Sequence, residues 1–397
     1  MAINNGWIAE KNALNPEFKA FFLNERWCDM DDMECMGMAL ELAKKGCGFV
    51  NPNPMVGAVI VKDGKVIGTG YHAKFGAPHA EINALASCKE SPDGATLYVT
   101  LEPCCHYGKT PPCTEAILNA GIQRVVVGSL DPNPLVKGKG IKQLLEKGIE
   151  VTEGIRKSEC DRLNEVFFHF IQSGKPYVVM KYAMTMDGKT AAYTGDSKWI
   201  TGKAARENVQ KDRLRYSAIM VGIGTVMADD PLLTCRTEGG RNPLRIICDT
   251  NLRMPLTSKI VTTANEVPTL IATSCSDLQT QQAYQNAGCR ILPVKQSDGH
   301  LDLSELMTKL GEEKIDSILL EGGGTLNWSA LQTGIVNKVQ TYIAPKLFGG
   351  SNGKSPVAGL GVPSPEDGFL LTNTAVSYWG EDILIESEVM PNVHRIY

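Results

Sequence analysis

Four residues with the chemistry of a metal-dependent hydrolase lie within one short stretch of the chain: His79, Glu81, Cys104 and Cys113. One imidazole and two thiolates give zinc three ligands and leave its fourth tetrahedral position to water, which is typical of a catalytic zinc rather than a structural one. Zinc lowers the pKa of such a water to about 7, so hydroxide is available at neutral pH. Glu81 is close to the imidazole in sequence, and we expect it to move protons without binding the metal.

The order of these residues indicates which class of zinc hydrolase the site resembles. An H-x-E triplet followed by a Pro-Cys pair is the signature of zinc deaminases. Eight residues separate Cys104 from Cys113 here, whereas the signature has two. A single His or Cys is more often a core residue than a ligand, but the joint occurrence of all four favours a metal site.

The identity of the thiol ligands has alternatives, because Cys105 and His106 directly follow Cys104 and could also bind zinc. Cys104 is preferred because it follows Pro103 at the end of a strand-like run. Cys113 is preferred because it precedes a predicted helix, whose N-terminal dipole stabilises a thiolate.

Alternating helices and strands are predicted to position these residues. A helix over residues 31–45 places Met33, Met36, Leu40 and Ala43 on one apolar stripe. A β-hairpin follows, with strands from Val56 to Val61 and from Val66 to Tyr71 and a turn at Lys62-Asp63-Gly64. The other predicted elements of this half are a helix from His79 to Ser87, strands Thr96–Leu101, Arg124–Ser129 and Ile149–Thr152, and helices after Cys113 and near Ile141–Lys147.

The pattern restarts after Gly174-Lys175-Pro176. The run from Tyr177 to Met184 is almost continuously apolar, as in a strand covered on both faces. We therefore predict an N-terminal extension over residues 1–27, a zinc deaminase domain over 28–173 and a second α/β domain over 174–397. Further elements predicted in the second domain are a helix from Ala204 to Tyr216 and strands Ala218–Gly222, Leu244–Asp249, Thr269–Thr273, Arg290–Val294 and Ser317–Leu320.

Composition excludes several classes of protein. The chain has 397 residues, more than one hydrophobic core usually holds. A net charge of -4 and a pI near 6.0 argue against a nucleic-acid partner. No run of apolar residues is long enough to span a membrane. Charged residues interrupt the first 28 positions, and twelve cysteines show no disulfide spacing, so a cytoplasmic enzyme is expected.

Signals in the second domain are weaker. Gly222-Ile-Gly224 matches the first half of a G-x-G-x-x-G dinucleotide-binding motif, but Met227 occupies the place of the third glycine. The sequence therefore does not match the Rossmann motif. The segment Glu321-Gly-Gly-Gly-Thr325 follows an apolar run, and its amides could bind a phosphate or simply form a turn. Four arginines could together hold a phosphate bidentately or could be solvated surface charges: Arg213, Arg215, Arg236 and Arg241.

Together these motifs resemble a known family. The segments GYHAKFGAPHAE (70–81), VTLEPCCHYGKTPPC (99–113), KYAMTMDGKTA (181–191), TGDSKWIT (194–201), ADDPLLTCR (228–236) and EGGGTLN (321–327) are similar to those of bifunctional riboflavin-biosynthesis deaminase–reductases. The long spacing between the two cysteines is a feature of that family. The resemblance implies a cytidine-deaminase-like three-layer domain followed by a dihydrofolate-reductase-like α/β domain, with Zn²⁺ and NADPH as cofactors.

The resemblance also implies roles for individual residues. Asn53, His72, Lys109 and Thr110 would surround the phosphorylated pyrimidine in the deaminase, where Glu81 would serve the proton transfers. Residues implied to bind the second substrate are Ser197, Arg213, Leu233, Arg236 and Glu321. Residues implied to bind NADPH are Ala183, Trp199, Thr225, Asp229, Thr250, Gly323, Gly324 and Thr325. We also expect a homo-oligomer.

Two alternatives from other classes stay open. A nucleoside or RNA-base deaminase with an accessory domain would show a basic, aromatic-rich surface and a short Cys-x-x-Cys, and the sequence has neither. A deaminase with an inactive reductase-like binding module is opposed by retention of the second-domain motifs.

Overall fold

A computed structural model provides the structure of the protein, which is described for residues 31–107, 111–351 and 353–390. The predicted extension over 1–27, Lys109 and Thr110 therefore lie outside the described residues. The chain divides between Ser173 and Gly174 into two compact units. Each unit has its own sheet and its own core. No helix among the described residues is long and apolar enough to cross a membrane.

The first unit is a five-stranded mixed sheet with strand order β2-β1-β3-β4-β5. Strands β1, β2 and β3 pair antiparallel, whereas β3, β4 and β5 are parallel. The strands are β1 (Gly57–Lys62), β2 (Lys65–Tyr71), β3 (Thr96–Leu101), β4 (Arg124–Ser129) and β5 (Glu150–Glu153). The helices are α1 (Asp32–Lys44), α2 (Ala80–Ala86), α3 (Cys113–Asn119), α4 (Lys139–Glu146), α5 (Lys157–Leu163) and α6 (Glu165–Ser173).

Alternation along the strands produces three layers. In β3, Leu97 and Val99 belong to the core on the side of α2, α3 and α4, while Tyr98 between them belongs to the core under α1 and α5. Successive side chains of a strand point to opposite faces, so a strand that is apolar at every position requires cover on both sides. The sheet is therefore enclosed between two helical layers, and the carboxyl end of β3 leads directly to Cys104.

Helix α1 begins with a capping box. Asp31 accepts from the N–H of Glu34, whose carboxylate in turn accepts from the N–H of Asp31. Met36, Leu40 and Ala43 are buried as predicted, but the prediction for Met33 is wrong, because its side chain is 50% exposed. Met33 lies in the first turn of the helix, whose buried face begins at Cys35.

The second unit is a nine-stranded sheet with order β10-β9-β8-β7-β13-β6-β14-β16-β15. Strands β6 to β10, β13 and β14 run parallel, and β15 and β16 add an antiparallel edge. The strands are β6 (Tyr177–Thr185), β7 (Ala218–Gly222), β8 (Leu244–Cys248), β9 (Thr269–Thr273), β10 (Arg290–Pro293), the short pair β11 (Gln296–Ser297) and β12 (His300–Leu301), β13 (Ser317–Leu320), β14 (Lys338–Ala344), β15 (Leu371–Trp379) and β16 (Asp382–Val389). The helices are α7 (Lys203–Arg215), α8 (Ile223–Asp229), α9 (Lys259–Thr262), α10 (Leu278–Asn286), α11 (Leu303–Glu312) and α12 (Gly324–Gln332).

The central strands of this sheet are also apolar on both faces. In β7, Ala218 and Met220 face the core formed with α11 and α12, whereas Ile219 and Val221 face the core formed with α8, α9 and α10. Strand β13 is inserted between β7 and β6, although it follows both in sequence. Ligands of open parallel sheets bind beyond the carboxyl ends of the strands, where the order of connections reverses. The loops after β7, β8 and β13 are thus the expected position of a site.

Candidate active sites

The three predicted zinc ligands meet in the first unit. Nδ1 of His79 lies 3.6 Å from Sγ of Cys104 and 3.3 Å from Sγ of Cys113. These donor atoms all lie within 4.8 Å of one another. Zinc–sulfur and zinc–nitrogen bonds of about 2.3 and 2.1 Å at a tetrahedral angle would place nitrogen and sulfur about 3.6 Å apart. The spacing of the donors fits one tetrahedral zinc ion.

The protonation of the two thiols also fits a bound cation. Hydrogen bonding to Cys113 and to His79 lowers the pKa of Cys104 well below that of an ordinary thiol. The same interaction with Cys104, together with burial, raises the pKa of the Cys113 thiol. Two adjacent thiolates repel each other, so both ionise together only when a cation lies between them. The site has the donor chemistry of zinc.

The secondary structure explains how the ligands converge. His79 is the N-cap of α2, and Cys113 is the first residue of α3. The N–H of Cys113 donates to Sγ of Cys104 at 3.3 Å. Two helix N-termini therefore meet at the carboxyl end of β3, where their dipoles favour thiolate charge.

Glu81 lies beside this cluster in the first turn of α2 and is 3% exposed. Its carboxyl group interacts with the Cys113 thiol, and burial raises its pKa to about 6. A carboxyl group that titrates near neutral pH can both accept and return a proton, which is the requirement for a general acid–base group.

Glu102 is a residue of this site that the sequence analysis did not single out. It is buried, and its carboxylate accepts from the N–H groups of Gly138 and Gly140 at 3.0 Å each, and from those of Asp131 and Ile141 at 3.3 Å each. These bonds fix the end of β3, and so Cys104, against the first turn of α4 and the loop that precedes it. A glutamate immediately before Pro-Cys was the signal in the sequence.

The alternative ligands do not join the cluster. Sγ of Cys105 faces the carbonyl of Leu135 at 3.9 Å. His106 is exposed, and neither residue belongs to the group of donor atoms around His79. The geometry favours the Cys104 and Cys113 pair.

Asn53 and His72 are neighbours of the zinc cluster. Nδ1 of His72 lies 3.1 Å from the Pro78 carbonyl, and Nε2 lies 3.2 Å from Nδ2 of Asn53. A carbonyl only accepts, so Nδ1 carries the proton and Nε2 accepts from the asparagine. Burial lowers the pKa of His72, which favours this neutral form. Its ring packs edge to face on that of His79, with centroids 5.6 Å apart.

In the second unit some of the predicted reductase residues lie just after the carboxyl ends of parallel strands. Thr225 is in α8 directly after β7, and Thr250 follows β8. Glu321 and the glycines follow β13. A Cβ atom added to Gly323 would lie 3.5 Å from Oγ1 of Thr225, so these two loops are in contact range. The helix α12 begins at this glycine turn, and its first N–H groups are available to a phosphate.

Glu321 and Arg213 form a bidentate ion pair. Nε and Nη2 of Arg213 donate to the carboxylate at 2.9 and 3.1 Å, and Nη1 donates to the Thr234 carbonyl at 3.0 Å. Lys181, which the sequence analysis did not assign, lies 3.9 Å from the same carboxylate. Burial alone would raise the pKa of Glu321, but the charges of Arg213 and Lys181 outweigh it and hold the pKa at about 2. The predicted phosphate arginine is therefore engaged by a protein carboxylate.

The other predicted substrate residues differ in accessibility. Arg236 is exposed, and its charge also lowers the pKa of Glu321. Leu233 has a positive φ of 53° and a buried side chain that packs in the core with α8 and α9. A contact of Leu233 with a ligand would therefore involve its backbone. Ser197 donates to Asp229 at 3.3 Å, which links a substrate residue to a cofactor residue.

Trp199 lies on an exposed loop held at its backbone. Its side chain is 63% exposed, and the guanidinium of Arg206 lies 4.1 Å from the ring centroid. Nζ of Lys346 donates to the carbonyls of Trp199 and Ile200 at 3.1 and 2.9 Å. Ala183 is half-buried on β6, next to β14. The indole thus has one face supported by a cation and is accessible to a ligand.

Comparisons with known proteins agree with two catalytic units. Residues 29–129 match the family model for the cytidine and deoxycytidylate deaminase zinc-binding region, and residues 176–385 match the RibD C-terminal domain. The class defined by fold and site is a zinc-binding deaminase joined to a reductase.

Relatives of this class match nearly the whole chain. The riboflavin biosynthesis protein RibD of Actinobacillus pleuropneumoniae is 52% identical over 91% of this chain and 96% of its own, and that of Aquifex aeolicus is 44% identical over 89% and 97%. The structure of Acinetobacter baumannii RibD has a TM-score of 0.81 at 38% identity, covering 90% of this chain and 99% of its own. A Thermotoga maritima structure, described as a diaminohydroxyphosphoribosylaminopyrimidine deaminase/5-amino-6-(5-phosphoribosylamino)uracil reductase, has a TM-score of 0.78 at 38% identity, covering 90% and 98%.

The chain belongs to the RibD family of riboflavin biosynthesis proteins. It is a bifunctional enzyme with deaminase and reductase activities. The family resemblance and the fold class predicted from the sequence are confirmed: a cytidine-deaminase-like three-layer unit precedes a dihydrofolate-reductase-like α/β unit.

Proposed function

We propose that the first unit hydrolyses the exocyclic amine of 2,5-diamino-6-(5-phosphoribosylamino)pyrimidin-4(3H)-one. The observation that carries this proposal is the convergence of His79, Cys104 and Cys113 beside the buried carboxyl of Glu81. These three side chains would hold zinc, which when bound supplies Lewis acidity and ionises a water at neutral pH. Glu81 takes the proton of the attacking water and delivers it to the departing nitrogen.

Asn53 and His72 would orient the pyrimidine in this site. Because the amide nitrogen of Asn53 donates to His72, its Oδ1 is the atom offered to a donor of the substrate. The neutral His72 ring, fixed by the Pro78 carbonyl, keeps that amide in place. Lys109 and Thr110 are assigned to the same substrate by the family motif alone.

The second unit would reduce the ribosyl group of 5-amino-6-(5-phosphoribosylamino)uracil to ribityl. NADPH is the proposed cofactor, and when bound it supplies the hydride. The glycine turn Gly323–Thr325 and the N-terminus of α12 would bind its phosphates, with Ala183, Trp199, Thr225, Asp229 and Thr250 around it. The positions of Ala183, Thr225, Thr250 and the glycine turn near the carboxyl ends of parallel strands support this assignment.

The substrate phosphate would be held by Arg236, which is exposed at the same end of the sheet as Glu321. Arg213 joins it only by sharing or releasing Glu321, because its guanidinium already donates to that carboxylate and to Thr234. Ser197 and the backbone of Leu233 complete the proposed substrate contacts. The thiolate ligands require a reducing compartment, and the cytoplasm is the expected location.

An assay of the purified chain with the diaminopyrimidinone tests this proposal. Ammonia should be released without NADPH, and NADPH should be oxidised in equal amount when it is added. Release of ammonia from cytidine or adenosine but not from this compound would refute the substrate assignment.

A further inference from the structure

A buried asparagine holds the loop that carries Asn53. Asn164 lies between α5 and α6 and is 2% exposed. Its Oδ1 accepts from the N–H of Met55 at 2.8 Å, and its Nδ2 donates to the carbonyl of the same residue at 3.0 Å. One side-chain amide therefore satisfies both backbone polar groups of a residue that lies 109 positions earlier in the chain.

The loop has few other backbone donors. Pro52 and Pro54 have no N–H, so Asn53 and Met55 supply the backbone donors of residues 52–55. The N–H of Asn53 donates within the loop, to the Val50 carbonyl at 2.8 Å. The N–H of Met55 donates to Asn164. The Asn164 side chain thus hydrogen-bonds the backbone of this segment to the junction between α5 and α6.

Residues on both sides of Met55 hydrogen-bond with His72. On one side, Nδ2 of Asn53 lies 3.2 Å from Nε2 of the imidazole. On the other side, the carbonyl of Val56 accepts from the N–H of His72 at 2.9 Å. Fixing Met55 between them fixes the approach of Asn53 to the imidazole.

We propose that Asn164 is a positioning residue for the deaminase substrate site, acting through Met55 on the Asn53–His72 pair. This inference rests on the proposed role of Asn53 in binding the pyrimidine. The backbone of Asn164 is held independently of its side chain: its N–H donates to the carbonyls of Cys160 and Asp161, and its carbonyl accepts from Phe168. Replacement of the side chain therefore removes the hydrogen bonds to the loop, whereas the backbone hydrogen bonds of the helix junction stay intact.

The test uses the full chain with the variant Asn164→Leu, which is similar in size and lacks the amide. Loss of two part-buried hydrogen bonds to the loop should raise the deaminase KM roughly ten-fold. The deaminase kcat, the zinc content per chain and the reductase kcat/KM should stay within about two-fold of wild type, because the two hydrogen bonds of the Asn164 side chain go to Met55 and not to His79, Cys104, Cys113 or Glu81.

Tyr98→Phe is the matched control. It removes a part-buried hydrogen bond in the same unit, from the Tyr98 hydroxyl to Asp32 at 2.9 Å, which does not involve the loop. The deaminase KM of this variant should equal that of wild type. An equal rise of KM in both variants would show that Asn164 contributes only to general stability and would overturn the inference.

A double-mutant cycle with Asn53→Ala separates this inference from the proposed function. If Asn164 acts through Asn53, adding Asn164→Leu to Asn53→Ala should raise the KM no further. Independent, multiplying effects would contradict the inference alone, whereas an unchanged KM in Asn53→Ala would contradict the proposed role of Asn53. Should Asn164→Leu fail to fold, Asn164→Asp is used in the same cycle, because it keeps the acceptor for Met55 and loses the donor.

Discussion

Ionisable side chains in both units have protonation states that are set by their immediate neighbours. In the first unit, the hydrogen bond between the two thiols lowers the pKa of Cys104 and raises that of Cys113. In the second unit, Glu321 is kept ionised by Arg213 and Lys181. The two neighbouring thiols favour binding of a metal cation. The ion pair with Arg213 and Lys181 keeps a buried carboxylate charged in the second unit.

Zinc binding should depend on Cys104 and Cys113 and not on Cys105. The double variant Cys104→Ala, Cys113→Ala removes two of three ligands, so metal analysis should find almost no zinc where wild type holds about one per chain. Cys105→Ala should retain full zinc. Full occupancy in the double variant would transfer the ligand role to Cys105 or His106.

The two arginines of the reductase should differ in effect. Arg236→Ala removes an exposed charge from the proposed phosphate site, where each charge-assisted hydrogen bond is worth about 1.5–3 kcal/mol, so the KM should rise ten-fold or more with little change of Tm. Arg213→Ala leaves Glu321 buried without its main partner and should destabilise the second unit by about 3–5 kcal/mol. Reductase kinetics and thermal unfolding, measured on both variants, distinguish the two roles. A weaker affinity for NADPH in Arg236→Ala with an unchanged KM for the reductase substrate would assign that arginine to the cofactor.

Acid stability should report on Glu321. Its pKa of about 2 in the folded chain is below the ordinary value of 4.5, so its contribution to stability is complete above pH 4.5 and is lost as the pH falls towards 2. The unfolding free energy of the second unit should therefore fall less steeply between pH 4.5 and 3 in Glu321→Gln than in wild type. Parallel curves in that range would contradict the depressed pKa.

Residue types and spacing predicted three donors that the structure brings together, because all of them lie near the starts of helices or the end of a strand in one short stretch. Partners distant in sequence could not be predicted. Nothing in the sequence pairs Arg213 with Glu321, 108 residues away, or Asn164 with Met55. These contacts depend on the arrangement of strands in the sheet, which local pattern does not specify.

Elements were predicted well where a strand is apolar throughout, as in Thr96–Leu101 and Ser317–Leu320, which the structure reproduces. Burial at helix ends was less predictable. Met33 continues the apolar stripe of α1 but lies in a solvent-exposed first turn. Hydrophobic periodicity in the sequence predicts which face of a helix is buried. It does not predict where along the helix the packed neighbouring elements end.

The contact between α4 and the end of β3 should be essential for the zinc site. A Cβ atom on Gly140 would lie 2.3 Å from the Pro103 carbonyl, a backbone atom that cannot move without displacing Cys104. Gly140→Ala should therefore lower zinc content and deaminase kcat/KM by ten-fold or more, and reductase activity in the same chain serves as the control. Wild-type zinc content in this variant would show that the loop adjusts without moving Cys104.

At the scale of the whole molecule, the chain combines a hydrolytic site and a reductive site in separate units, each with its own sheet. The homo-oligomer expected from the sequence stays a prediction. Because each unit has its own activity, a substitution can remove one activity while the other is measured as a control for correct folding.

Glu81→Gln provides the most direct test of this account, assayed on both substrates with NADPH present. The amide keeps the size of the side chain but cannot shuttle protons, an effect worth roughly 10²–10⁴-fold. Zinc should stay bound, ammonia release and NADPH oxidation should both be nearly lost with the diaminopyrimidinone, and NADPH oxidation with the aminouracil should equal that of wild type. Near-normal ammonia release, or no NADPH oxidation with the aminouracil in wild type as well, would contradict the assignment of one reaction to each unit.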